Sequence, residues 1–433
     1  MENNYEEKTF TINPVSGSQK ISFVFPPGCN FDFKDRIPLP EWFYDDAQWV
    51  DFLDMMAENR LNALYLPASV MSVDSTLEKE TDRETLASLA SEAKRRGIAL
   101  IPMEGDALYG VHRANDTVYS APLSMPYLEP LRWCSVVSIY DTISAMQKAG
   151  CSVLNLSILG SQSAYPYTAD KLPDERRLSQ IERDWMWYRA WGRYAWQNST
   201  LSDIASEEKY WNEQVAYRYQ TTIENAALMR LALEESGQIA PALQHSFGLV
   251  ADCRQTLLLG MLCAQLVNPY KYINNEELNP QVGKLPIDVV EECLQHALQA
   301  VEAVDAVNVK KIKRNHRAEF LRLRNDMYCY RDYVYAFMYK VQACLKVMDY
   351  QNDRNVDHLD EALELLRKSI GWWRGLVMYS QNDYLFANSL QTAARDIPVC
   401  ATDGAYSHWS DLLSVYEAEE SNRAANIQTL RDH

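Results

Sequence analysis

Between residues 61 and 104 the chain reads LNALYLP, then a charged helical stretch, DRETLASLASEAKRRG (82–97), then IALIPME. The two flanking runs are short, apolar and continuous, the pattern of strands buried on both faces. With Gly97 placed to close the intervening helix, they predict a right-handed β-α-β crossover and therefore a parallel sheet. A second helix and strand, YDTISAMQKAG followed by CSVLNLSIL (151–159), extend the same sheet, and WCSVVSIY offers a further strand. Upstream, KTFTINPVSGSQKISFVF (8–25) alternates in two runs around PVSGSQ and predicts a hairpin. DAQWVDFLDMMAENR (45–59) carries Trp49, Phe52, Leu53 and Met56 on one helical stripe, with Asp45 or Asp46 as its cap. Residues 105–130 show no clear period and read as a long loop over the strand ends.

From about residue 178 the pattern changes to helices with little interruption: 178–197, 203–236, 241–267, 286–306, 309–350, 356–380 and 407–424. The long member carries Ile312, Phe320, Leu323, Met327, Tyr330, Val334, Phe337, Val341 and Leu345 every three to four positions, as a bundle-spanning helix would. The expected organisation is a short β hairpin segment (1–36), a reduced α/β domain (37–177) with parallel strands in a partial or degenerate β/α barrel, and a large all-α helical domain (178–433).

Acidic residues outnumber basic ones 59 to 42, a net charge of −17, so a phosphate backbone or an anionic membrane surface is repelled over most of the chain. No apolar run reaches the ~18 residues of a spanning helix. Nucleic acid and membrane are thus excluded as partners. Nine cysteines in apolar patterns, with no CxxC or Cys/His spacing, read as reduced core residues; no metal site and no cofactor is expected. The start MENNYEEKTF lacks the parts of a signal peptide, so the chain reads as cytoplasmic as written, or as periplasmic or secreted if a leader was trimmed.

The stretch PEWFYDDAQWVDFLDMMAENRLNALYL resembles the opening of the barrel in bacterial glycoside hydrolases of the α-glucuronidase and hyaluronidase-like kind, where a helix ending in Asn-Arg-x-Asn leads into the first strand. LASEAKRRGIALIPM resembles their second helix and strand, and the aromatic helix at 182–196 the start of the helical domain after their barrel. A full barrel takes about 200–250 residues, more than the span 37–177 provides, so the resemblance implies a shortened barrel. It implies a carbohydrate-active protein that degrades polysaccharide; it assigns no catalytic residue here.

Glycoside hydrolysis needs two carboxyl groups flanking the bond. Glu104 and Asp106 in IPMEGDALYG stand just past a buried strand, the end at which α/β enzymes place ligands; the plainer alternative is a solvated loop. In ERDWMWYRAWGRYAW (182–196), helical spacing puts Trp187, Trp191 and Tyr194 on one side, and Trp185 and Trp196 opposite them beside Arg189 and Arg193. The second face suits a sugar: Trp185, Tyr188 or Trp196 can stack on a pyranose, and an arginine fork matches a uronic carboxylate. The competing account buries the helix on both sides. In DYLFANSLQTAARDIPVCATDGAYSHW (383–409), Asn388, Gln391, Arg395 and His408 suit sugar hydroxyls if the chain folds back there, and otherwise form a connection between helices. KKIKRNHR (310–317) reads as the solvated start of a long helix, and GWW at 371–373 as core.

Two functions follow. One is a glycoside hydrolase, or a reduced relative of one, acting on a polysaccharide that contains acidic sugars. The other is a non-catalytic carbohydrate-binding or helical scaffold protein. A homo-oligomer through an aromatic face stays open.

Overall fold

The computed structural model describes residues 20–24, 41–67, 80–103, 118–119, 128, 130–148, 153–156, 166–172, 176–196, 204–247, 259, 262, 285–387 and 408–432. The chain forms two compact units. The first comprises Met1–Met125, Val136–Thr168 and Leu178–Ser202, and the second Pro126–Ser135, Ala169–Arg177 and Asp203–His433.

The first unit is built on a parallel five-stranded sheet: β1 (Lys20–Val24), β2 (Ala63–Pro67), β3 (Ala99–Met103), β4 (Val118–Tyr119) and β5 (Val153–Leu156). Helices α1 (Asp46–Glu58), α2 (Glu80–Arg95) and α3 (Val136–Lys148) alternate with the strands. The lateral order is β3-β2-β1-β5-β4. Read as a ring, this runs 1-2-3 and then 4-5 back to 1, the strand order of a β/α barrel, with no ladder between β3 and β4 among the described residues. The expected degenerate α/β part followed by an all-α domain is therefore present.

Two local expectations fail. Lys20–Val24 lies between β2 and β5 and pairs in parallel with both, so neither edge remains for the antiparallel partner of a hairpin. WCSVVSIY is not a strand: Val136 begins α3, and the extra strand, Val118–Tyr119, falls in the stretch read as a loop. Alternation alone does not distinguish a short apolar run that starts a helix from a buried strand.

The crossovers hold as the sequence implies. Asp45 caps α1 by accepting from the Ala47 and Gln48 amides. Gly97 follows α2 at φ 71°, a conformation open to glycine. Arg96, itself buried, links the two helices by donating to Asp54 at 2.6 Å and Glu92 at 2.5 Å.

The second unit is helical: α6 (Ile204–Tyr219), α7 (Ile223–Phe247), α8 (Pro286–Asp305), α9 (Arg317–Asp353), α10 (Asp357–Asp383) and α11 (Leu413–Asp432), while α4 (Gln180–Arg183) and α5 (Trp185–Ala195) belong to the first unit. Of the predicted stripe on the long helix every member is buried except Leu345, which is 37% exposed. The expected 203–236 helix breaks at Gln220, where φ is 45°. The expected break near Gly237 and Pro241 does not occur. Pro241 has no N–H for the Gly237 carbonyl four residues back, and that carbonyl instead accepts the Trp133 indole N–H at 2.8 Å. Gly237 has no room for a side chain there, since a Cβ would lie 2.7 Å from that of Ser135. Residues 309–316 form two short 3-10 turns rather than the start of α9. The described cysteines Cys134, Cys293, Cys329 and Cys344 are buried, and none of them is in a disulfide.

Candidate functional site

Helix α5 divides into two arcs as its spacing implies. Trp187, Trp191 and Tyr194 are buried, with the Trp187 and Trp191 rings edge to face at 6.1 Å and Tyr194 edge to face with Tyr140. Trp185, Arg189, Arg193 and Trp196 lie on the other arc and are half-buried. The helix is seated through Gly192, where a Cβ would run into the Asn59 carbonyl oxygen at the end of α1. One turn before Gly192, Tyr188 is fully enclosed and edge-on to Trp187 at 4.9 Å, so it is a core residue and not a sugar-facing one.

The half-buried arc is organised by two contacts. The Arg189 guanidinium lies 5.6 Å from the centre of the Trp185 ring. The Trp196 indole N–H donates to the Arg60 carbonyl at 2.9 Å, and Arg60 is held at φ 60°. Asp184 at the head of α5 is buried and takes both Arg183 donors, at 2.8 and 2.9 Å, rather than capping the helix. Aromatic faces beside guanidinium groups can hold a ring while pairing with its carboxylate.

Glu104, Asp106, Asn388, Gln391 and Arg395 lie outside the described residues. In sequence, Glu104 follows directly on Met103, the C-terminal residue of β3. Ala387 bridges His408 in parallel. His408 itself caps the turn Trp409–Leu412: its Nδ1 accepts from the Ser410 amide at 3.1 Å, while Asp411 accepts from its own amide at 2.7 Å. Burial pulls the His408 imidazole below its usual value, so the neutral ring serves as a cap.

Sequence reading missed a buried ionic cluster in the second unit. Arg132 donates to Asp170 at 2.5 Å and to Asp326 at 2.9 Å, and its Nη1 reaches the Tyr384 hydroxyl at 3.2 Å. Tyr384 donates to Asp326, and Tyr330 donates to the Arg132 carbonyl at 3.1 Å. Burial alone would pull the guanidinium down, but Asp170 and Asp326 hold it well above its ordinary value; burial and Asp326 push the Tyr384 phenol up. With its charges paired and buried, the cluster ties Arg132 and Asp170 to α9. One signal was available: Asp326 sits between Leu323 and Met327 on the apolar stripe, a position that a carboxylate occupies only when paired. Among the described residues no group of three His, Cys, Asp or Glu is placed to hold a metal ion, and no helix is long and apolar enough to cross a membrane.

No protein-family model and no curated protein matches the chain. Five solved chains do match. One of them is a GH138 enzyme targeting pectin rhamnogalacturonan II, 29% identical in sequence, with a TM-score of 0.74 over 95% of this chain and 84% of that one. The chain has a glycoside-hydrolase-like fold.

Proposed function

We propose that this protein is a carbohydrate-active glycoside hydrolase acting on polysaccharide that contains acidic sugars, of the pectic kind. The likeness to the GH138 enzyme over 95% of the chain carries this reading. The ring order of the sheet supports it, since barrel enzymes set their chemistry at the C-terminal strand ends. Glu104 and Asp106 are proposed as the two carboxyl groups, one neutral and donating a proton to the leaving oxygen, the other ionised. Trp185 and Trp196 are proposed to stack on the sugar, and Arg189 and Arg193 to take its carboxylate; Asn388, Gln391 and Arg395 are proposed as ligands for hydroxyls.

The test is the release of reducing ends from rhamnogalacturonan II and polygalacturonate, with a neutral glucan as control. Product from the acidic polymers alone, lowered about 100-fold or more by Glu104→Gln or Asp106→Asn, is the expected result. Unchanged turnover in both variants would remove the assignment of the pair. A second reading, a binder without catalysis, is favoured by the absence of a β3–β4 ladder among the described residues. It predicts saturable heat with the same polymers and no new reducing ends.

A further inference from the structure

Helices α9 and α10 run as an antiparallel hairpin, joined where Arg354 takes φ 62°. Between them lies a cleft of about 420 Å³, lined by Arg331 and Asp332 from α9 and by Lys368, Gly371, Trp372 and Gly375 from α10. The two glycines stand one turn apart in the interior of a 27-residue helix, where each is unfavourable relative to alanine. Gly375 has a packing reason: a Cβ there would run into the Asp332 carboxylate. Gly371 has none, with nothing within 4 Å of where its Cβ would stand. Its effect is to leave the cleft floor open and the backbone approachable.

The cations in this cleft are held by identifiable contacts. Asp332, seated by Gly375, accepts from Arg331 Nε at 2.8 Å and Nη2 at 2.7 Å. The guanidinium lies 5.2 Å from the Tyr328 ring and 5.6 Å from the Trp372 ring, and Trp372 is stacked on Tyr335 at 4.1 Å and 11°. Rings and carboxylate together fix the plane of the fork while leaving the Arg331 side chain 22% exposed. Lys368 is exposed, forms no ion pair among the described residues, and stands 5.7 Å from the Tyr339 ring. Burial pushes the Asp332 carboxyl up to about 6, which weakens the one negative charge in the cleft under mildly acidic conditions. On a chain of net charge −17, two oriented cations over an open floor form a local exception.

We infer that this cleft is a binding site for a carboxylate-bearing sugar. Arg331 and Lys368 take the carboxylate, and the open floor at Gly371 admits the ring beside Trp372. The inference names a substrate-binding surface for the activity proposed above and rests on that reading for the sugar class. A planar fork held against rings matches a carboxylate in two-point geometry.

The test is calorimetry of the full chain with oligogalacturonate, set against inorganic sulfate and a neutral oligosaccharide, alongside reducing-end release by the unsubstituted chain. The titrations use the Glu104→Gln background so that oligogalacturonate is not consumed, and the cleft is isolated by the substitutions within it. Arg331→Met and Gly371→Leu are each expected to weaken oligogalacturonate binding tenfold or more. Gly371→Leu also keeps or raises the melting temperature, because leucine favours the helix and its Cβ meets no atom, so a loss of binding there is not a loss of folding. Binding undiminished in both variants overturns the inference, as does sulfate binding as tightly as the uronate, which would make this an anion site only. Cleft-dependent binding without any hydrolysis supports the cleft while removing catalysis. Hydrolysis without cleft-dependent binding does the reverse.

Discussion

Helix α9 carries two arginine–aspartate arrangements in the same unit, and they differ in what surrounds them. Arg132 meets Asp326 from α9 where Asp170 and Tyr384 also converge, and the Asp170 and Asp326 side chains have no exposure at all. Arg331 meets Asp332 one and a half turns further along, with its guanidinium against rings and beside an open cleft. The chemistry of the two pairs is the same, and access decides the role. A guanidinium whose partners are all buried carboxylates and a phenol holds chain segments together. One that keeps an exposed edge beside a glycine floor can recruit a ligand.

The largest effect that would sharpen this contrast is in the closed cluster. Arg132→Met leaves the buried Asp326 without its counter-charge and Asp170 with Arg322 at 3.4 Å, and is expected to cost about 3–5 kcal/mol, read by denaturant unfolding. Arg331→Met leaves the buried Asp332 carboxyl without its donor, but that carboxyl, already pushed up to about 6, can take up a proton, so the expected cost is smaller, about 1–3 kcal/mol. Similar losses at the two positions would break the distinction.

Lys340 supplies the next test, because it is a buried amine set against an aromatic ring. It lies against the Tyr416 ring at 3.4 Å, and burial pulls its amine from 10.5 down to about 7, against the opposing pull of Glu419. Between pH 7 and 10.5 the unfolded chain therefore holds a proton that the folded chain lacks, so stability rises with pH across that window. Below pH 7 the cost is present in full. Lys340→Met is expected to stabilise by about 3 kcal/mol at pH 7 and to remove the rise, as followed by melting temperature against pH. A flat profile in the unsubstituted protein would contradict the burial account.

The smallest effect compares the two glycines of α10. Gly375→Ala pushes on the Asp332 carboxylate and is expected to destabilise by about 1–2 kcal/mol. Gly371→Ala meets open space and is expected to stabilise by about 0.5–1 kcal/mol. Equal signs in the melting temperatures would mean that the floor at 371 is not free.

Much of this architecture is legible in the sequence, and the boundary is physical. Continuous apolar runs at 61–67, 98–104 and 151–159, set between helical patterns, read as buried parallel strands, and β2, β3 and β5 stand there. The two arcs of α5 follow from helical spacing, which leaves Trp185 and Trp196 half-buried and buries Trp187 and Trp191. Tyr188 was not legible, because its enclosure is set by tertiary packing that helical spacing does not reveal. The hairpin reading of 8–25 fails on the same ground, since the strands that flank Lys20–Val24 are β2 and β5, distant in sequence. GWW at 371–373 was half right. Trp373 is core, whereas Trp372, one position and about 100° around the helix, faces the cleft.

The most direct measurement of the central claim is reducing-end release from rhamnogalacturonan II and polygalacturonate by the unsubstituted chain and by Glu104→Gln. The account predicts product from the unsubstituted protein on acidic polymers and about 100-fold less from the variant. Release no greater than in buffer, with no heat of binding to either polymer, would contradict it.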